Sequence, residues 1–575
     1  LFLLCLSGWT IGHLKLCTKQ LVKKQLGKKI AAALCFAALG SFSAGAAQPK
    51  FRTPVKQIVL GMVWEPVSFN PVRGIDSGSY CAASLIYDGL VKYDRLMTLR
   101  PALAESFSIS EDGLTYRFKL RPNLHFSNGQ PLTTIDVKAS LLLGASELSP
   151  FKSDYADIKT IEIENDRDFS IKLARRCQPL MSRLAELRIL PANLLNSADH
   201  GNQVISRHPI GTGPFRLVRW ESGLELVFER NPYHWGPPAK SDRLIWRVVP
   251  DRNVLAVALA RGEVDVAPVD GRIWKTFLAT AKLPQSNNTR APLKVAVFNG
   301  NRTVYLGFNL EREPWKELLI RQAFASAIDR KAIAEVFYGG YAVIPDSDFP
   351  LTNWAFSKDT KHVVYDPLLS RQLIERAGYK RQGKFWLRPG NAKPLALKIH
   401  TIKDQEEVAQ VVADYLNSIG VICEVETMEY STVRRSYLQK GRFDAVLWSR
   451  SFGPDPECSI VWSSKGPLNF CRLRSKEADS LIAVARQAGT KSERIEPYRQ
   501  LQSYLSAQLP WVFLAQPQQL IVYQGDVENV AAAETFETDE QKGQQHAVLL
   551  QQKGQQHAVG LPWDNPVFNA AEWRR

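Results

Sequence analysis

Residues 103–137 read LAESFSISEDGLTYRFKLRPNLHFSNGQPLTTIDV. Tyr116, Phe118 and Leu120 alternate with Arg117, Lys119 and Arg121, the two-residue period of a strand with one face in the core. Ser110-Glu111-Asp112-Gly113 supplies a turn before it, with Gly113 free to take positive φ. Asn128-Gly129 marks a second tight turn. Thr134 then opens a helix, with Asp136 in the first turn where the macrodipole favours a negative charge. Local physics thus gives a small β-rich module running into a helix.

The same alternation of strands and helices continues on both sides, without a simple long-period repeat. Residues 55–64 read as the first strand. Further on, 406–419 places Val408, Val411, Val412, Tyr415, Leu416 and Ile419 on one helical face, with Gly420 as the C-cap. Val421, Cys423 and Val425 then alternate as a strand. Helix, glycine, strand is the grammar of an α/β layer.

A chain of 575 residues is too long for one core, and size alone suggests ~3 or 4 domain-sized units. With 45% hydrophobic and 23% charged residues, the composition is that of an ordinary globular protein. The formal charge is +16; residues 1–46 contribute six Lys and no Arg or acid, leaving +10 for the rest. Those charges are scattered and no nucleic-acid-binding motif accompanies them, so a solvated basic surface is preferred over a nucleic-acid or membrane partner.

The N-terminus has the layout of a cleaved export signal. Lys19, Lys23, Lys24, Lys28 and Lys29 precede a short apolar run over 30–42, and Ala44-Gly45-Ala46 offers small residues before a cut after Ala46. As a membrane anchor the run is weak, because Gly40, Ser41, Ser43 and Gly45 interrupt it. Cys35 follows Leu34, not the small residue a lipoprotein site needs. Whether residues 1–17 are translated stays open, since the first Met is Met62.

The 103–137 stretch resembles the signature region of the bacterial extracellular solute-binding proteins that serve peptide and nickel ABC importers, family 5 of that class. Ile210-Gly211-Thr212-Gly213-Pro214-Phe215 and Asn231-Pro232-Tyr233-His234-Trp235-Gly236 are similar to two more of its segments. So are Gly262-Glu263-Val264-Asp265, Phe308-Asn309 with Arg321-Gln322-Ala323 and Ala327-Ile328-Asp329-Arg330, Tyr365-Asp366-Pro367 with Ala377-Gly378-Tyr379, and Gly441-Arg442-Phe443-Asp444. Each is weak alone; their order, from about residue 55 to 525, covers nearly the whole mature chain. The resemblance implies an α/β fold of two lobes joined by a hinge of two crossings, with an extra domain inserted in lobe I. Carried over, lobe I is 52–90, 205–303 and 511–575, the inserted domain is 91–204, and lobe II is 304–510. It also implies a monomeric periplasmic protein that captures a peptide or similar small solute between its lobes and hands it to an inner-membrane ABC permease. A nickel or metal-chelate cargo is the alternative.

Residues 445–465 read AVLWSRSFGPDPECSIVWSSK. In peptide-binding members of the family an aspartate after the strand pairs with the peptide's ammonium. That place maps onto Ser451, and Asp455 is reached by shifting the alignment. Arg450-Ser451-Phe452-Gly453 is similar to the nickel-binding branch instead. A cleft arginine suits a carboxylate, because its planar fork donates two hydrogen bonds. Arg450 is therefore expected to meet a ligand carboxylate, the alternative being a structural ion pair. Trp64, Trp448 and Phe452 are the aromatic candidates for the cleft, with core packing the alternative for each.

No HExxH, HxH, CxxC or GxSxG spacing occurs, and Gly211-x-Gly213 lacks the third glycine of a dinucleotide loop. A binding protein without cofactor is expected, not an enzyme. Beyond the leader the cysteines are Cys81, Cys177, Cys423, Cys458 and Cys471, an odd number for an oxidising compartment. Cys458 and Cys471 could close a disulfide loop beside the candidate segment. Finally, QKGQQHAV occurs at 541–548 and again at 552–559, and reads as a duplicated polar surface loop.

Overall fold

Alternation is the feature that shapes the core. In the strand Thr115–Leu120 the side chains of Tyr116, Phe118 and Leu120 are buried while Arg117 and Lys119 face out. Burying each of the three contributes about 1.5–3 kcal/mol. The turns around it are built as their residues require: Gly113 has φ +68° and Gly129 φ +84°. The helix Thr134–Gly144 starts from Thr133, whose hydroxyl caps the first turn while the Asp136 carboxylate accepts from the Thr133 N–H at 2.8 Å. Together with Ala104–Ile109, Asp168–Leu173 and Ile158–Ile163 this strand makes a four-stranded antiparallel sheet with its own core.

The computed structural model describes residues 55–71, 76–94, 97–149, 151–195, 202–278, 292–390, 393–530 and 570–574. The leader expected at 1–46 and the repeat at 541–559 lie outside the described residues. The first strand is shorter than the sequence suggests, Gln57–Met62, because Trp64 already leaves the ladder. It is the centre of a seven-stranded sheet, between Val266–Val269 and Arg243–Val248 and parallel to both. Outward from Val266–Val269 follow Gln519–Tyr523 and Lys294–Phe298; outward from Arg243–Val248 follow Glu225–Arg230 and Phe215–Glu221.

A six-stranded sheet runs Ala342–Val343, Trp511–Pro517, Arg302–Phe308, Ala445–Ser451, Ala396–Thr401, Ile422–Thr427. Both its faces are covered. Val304, Leu306, Ala445, Leu447, Val512 and Leu514 enter one core, whereas Tyr305, Val446, Trp448, Trp511 and Phe513 enter another. This double burial is why the strand reads AVLW, a continuous apolar run. The helix Glu406–Ser418 packs Val408, Val412 and Leu416 on the first of these cores, and Gly420 (φ +97°) turns the chain into Ile422–Thr427.

The chain passes from one large sheet to the other at two places. One is 299–301, between Lys294–Phe298 and Arg302–Phe308; the other is Gln518, between Trp511–Pro517 and Gln519–Tyr523. The boundary expected at 511 is corrected by this pairing: Trp511–Pro517 lies in the second sheet, antiparallel to Arg302–Phe308. Its side chains fill the second lobe's two cores, so burial holds it there. The crossings touch. A Cβ on Gly300 would lie 1.8 Å from the Pro517 carbonyl oxygen, and Gln518 Nε2 donates to Asn299 Oδ1 at 3.1 Å.

Candidate functional site

The strand Ala445–Ser451 delivers its last residues beside the crossing, where the Phe452 N–H donates to the Asn301 carbonyl at 2.7 Å. Within that frame Arg450 does not reach into open space. Its Nη1 donates to Asp348 Oδ2 at 2.7 Å, and the Trp462 indole N–H donates to the same oxygen at 2.9 Å. The guanidinium also lies over the Phe452 ring, 4.7 Å from its centroid. Asp348 is buried, and burial raises its carboxyl above the usual range even with Arg450 adjacent. The expected carboxylate partner of Arg450 is thus present, but it belongs to the protein.

The other candidates divide the same way. Phe452 is buried against Phe349 (4.7 Å between centroids), and Trp448 is buried and stacked with Tyr430 at 5.1 Å. Ser451 is half-buried, opposite Arg302 in the ladder. Trp64 sits in the other lobe, edge-on to Trp246 at 6.3 Å and packed on the first core. Asp455 is held by Arg494, which donates from Nη1 to Oδ2 at 2.8 Å and from Nη2 to Oδ1 at 2.5 Å. The disulfide that Cys458 and Cys471 could have closed is not formed: both are buried thiols, and Cys471 Sγ lies 3.3 Å from Asn469 Oδ1.

What the sequence reading missed is the seam between the inserted domain and the second lobe. Tyr93 donates its hydroxyl proton to Ser182 Oγ at 2.7 Å, and Ser182 donates onward to Asp455 Oδ2 at 3.2 Å. Ser182 sits on the short helix Leu180–Glu186, so this relay leaves the inserted domain and ends in the second lobe. Arg486, in the last turn of Lys476–Gln487, pairs with Glu457 at 2.9 Å and with Asp157 across the seam at 3.6 Å. Gln178 donates its backbone N–H to the Arg486 carbonyl (3.3 Å) and its Nε2 to the Gly489 carbonyl (2.7 Å). The second oxygen of Glu457, Oε2, is buried without a hydrogen bond among the described residues.

Behind the seam, Arg183 stands 3.1 Å from both Asp154 and Glu186. Burial raises the Asp154 carboxyl and pushes Glu186 up to about 6. A cavity of about 110 Å³ opens here, lined by Tyr80, Leu143, Tyr155, Arg183, Glu186 and Arg188. It holds a few waters or a small polar group and falls short of the roughly 300–1,000 Å³ of a typical ligand pocket. Because folding raises the Glu186 pKa, its contribution to stability is complete below about pH 4.5 and is lost as pH rises through about 6. Glu186→Gln removes that titration. The stability of the wild type relative to the variant should fall by about 2 kcal/mol from about pH 4.5 to 7, read from urea midpoints. A constant difference across that range would place Glu186 in an ordinary solvated setting.

Comparison with known proteins agrees with this architecture. The family model described as bacterial extracellular solute-binding proteins, family 5 Middle, matches residues 98–470. The oligopeptide-binding protein AppA of Bacillus subtilis is 28% identical over 480 residues, covering 80% of this chain and 86% of the relative. Heme-binding protein A of Haemophilus influenzae is 27% identical over 482 residues, covering 78% and 85%. Among solved structures, NikZ from Campylobacter jejuni in complex with Ni(L-His) superposes with a TM-score of 0.75 at 24% identity, covering 91% of this chain and 100% of that one.

Proposed function

The chain belongs to the bacterial extracellular solute-binding proteins of family 5, and from that premise we propose that it is the substrate-binding component of an ABC importer, capturing a peptide or similar small solute between its lobes and presenting it to the membrane permease. The observation that carries this reading is the pair of touching crossings at Gly300 and Pro517. Two lobes, each with its own cores, can swing about such a joint and enclose what lies between them.

The metal-chelate alternative stood on the segment around Arg450, whose charge is neutralised by Asp348; the peptide reading keeps the support of AppA. Binding, not catalysis, is the reading of the ionisable groups, since the seam carboxylates and guanidinia are engaged with one another. Members of the family are extracellular or periplasmic, and among the described residues no helix is long and apolar enough to cross a membrane. Export with cleavage after Ala46 and a monomeric mature form complete the proposal. The domain assignment is a lobe I that ends at Phe298 and resumes at Gln519, an inserted domain over 91–204, and a lobe II between the crossings.

One measurement addresses ligand and processing together. Protein purified from its own periplasm and weighed by native mass spectrometry should start near Ala47 and carry a small solute that fragments into amino-acid residues. A released nickel chelate or heme would replace the peptide reading. A chain retaining Lys28 and Lys29 would sink the export reading.

A further inference from the structure

We propose that Arg486 is a latch that holds the inserted domain against the second lobe, so that closure is stabilised by groups apart from those that touch the solute. The proposal rests on the two-lobed binding reading above. Arg486 follows Ile482 by one turn on the apolar face of Lys476–Gln487, and Ala478, Ile482 and Ala485 on that face are buried. Its guanidinium joins carboxylates of both sides, Glu457 of the second lobe and Asp157 of the inserted domain. Its carbonyl takes the Gln178 N–H, and three residues on Gly489 takes the Gln178 amide. Three interactions therefore converge on 486–489 from a segment, 157–178, that belongs to the other side.

The geometry also supplies a reporter. Cys177 precedes Gln178, is 2% exposed, and has its Sγ 3.8 Å from Arg486 Nη2. Arg486 covers the thiol, so it should meet a reagent when the seam opens. Cys423 is buried in the core of the second lobe, away from the seam, and serves as the internal control. Burial and its acidic neighbours raise the Cys177 thiol to about 11, which makes labelling slow enough to follow.

The test labels the solute-free mature protein with a maleimide under native conditions and locates the adducts by peptide mapping. Arg486→Ala should speed labelling of Cys177 at least tenfold and leave Cys423 unchanged. Arg486→Lys, which cannot span both carboxylates with one fork, should fall between. Asp157→Asn, which removes the charge from the far side alone, should speed Cys177 a few-fold and guards against misfolding of the alanine variant. Wild-type labelling rates in Arg486→Ala and Asp157→Asn would overturn the latch, and so would equal acceleration of Cys177 and Cys423, which reads general loosening. No solute enters this assay. A seam that behaves as stated in a protein that captures no solute would count against the binding reading and leave the latch standing.

Discussion

Arg450→Ala is expected to lower the stability of the protein by about 3–5 kcal/mol, the cost of removing one partner from a buried ion pair. Asp348 is 1% exposed, and its Oδ2 depends on Arg450 Nη1 and the Trp462 indole N–H. With the guanidinium gone, neutral donors such as the Trp462 indole N–H are left to hold a charge that water cannot reach. The sequence alone led to a ligand carboxylate as the expected partner, with a structural ion pair as the alternative, because it could not show that Asp348, 102 residues earlier, arrives at the same point. Two further measurements isolate the cause. The deficit should shrink as pH falls, since an unpaired Asp348 escapes its charge by taking a proton, and its carboxyl is already raised in the wild type. The double variant Arg450→Met, Asp348→Asn should recover most of the loss, because neither charge is then left alone. A urea midpoint for Arg450→Ala equal to that of the wild type would show that the pair contributes nothing and would return Arg450 to the pool of ligand contacts.

Local rules made much of the fold legible. Alternation found Tyr116, Phe118 and Leu120; glycine chemistry found the turns at Gly113, Gly129 and Gly420; the 3.6-residue period found Val408, Val412 and Leu416. These are decided within a few residues, so a single sequence contains them. The resemblance to family 5 carried the two-lobed plan. The site was less legible, because its pairs join distant residues: Asp455 with Arg494, Glu457 with Arg486, Asp348 with Arg450. Nothing local says which partner a charge will find. A weaker signal was nevertheless present. Arg494 recurs with Tyr498, Leu501 and Leu505 on one face of the helix Lys491–Gln508, and Arg486 follows Ile482. A charged residue standing on an apolar stripe announces a buried partner, since its isolated burial would be too costly. Applied to 445–465, that rule points to the acids Asp455 and Glu457 as the waiting partners before it points to Arg450 as a free one.

Gly300→Ala is expected to disturb closure more than any ligand-contact change that leaves the lobes intact. A methyl at this position would stand 1.8 Å from the Pro517 carbonyl oxygen and 3.0 Å from its carbon. Both are backbone atoms, so no side-chain rotation relieves the contact. The two crossings would have to separate by about 1.5 Å to restore normal van der Waals distance. They are not free to do so independently: Gln518 is tied to Asn299 at 3.1 Å and to the Tyr341 carbonyl at 2.9 Å, while Asn301 accepts from Phe452 at 2.7 Å. Overpacking of this kind costs about 1–3 kcal/mol. Because the strain falls on the joint, it should appear in the equilibrium between open and closed forms and not in stability alone. With a solute identified from the native protein, the wild type should show a modest fall in radius of gyration by small-angle scattering on binding. Gly300→Ala should lose that fall or need about tenfold more solute to reach it, the equivalent of about 1.4 kcal/mol. Asn299→Ala, which removes one hydrogen bond and adds no bulk, should close normally with a smaller change in affinity. If Gly300→Ala binds and compacts as the wild type does, the crossings move without touching, and the joint lies elsewhere in the chain.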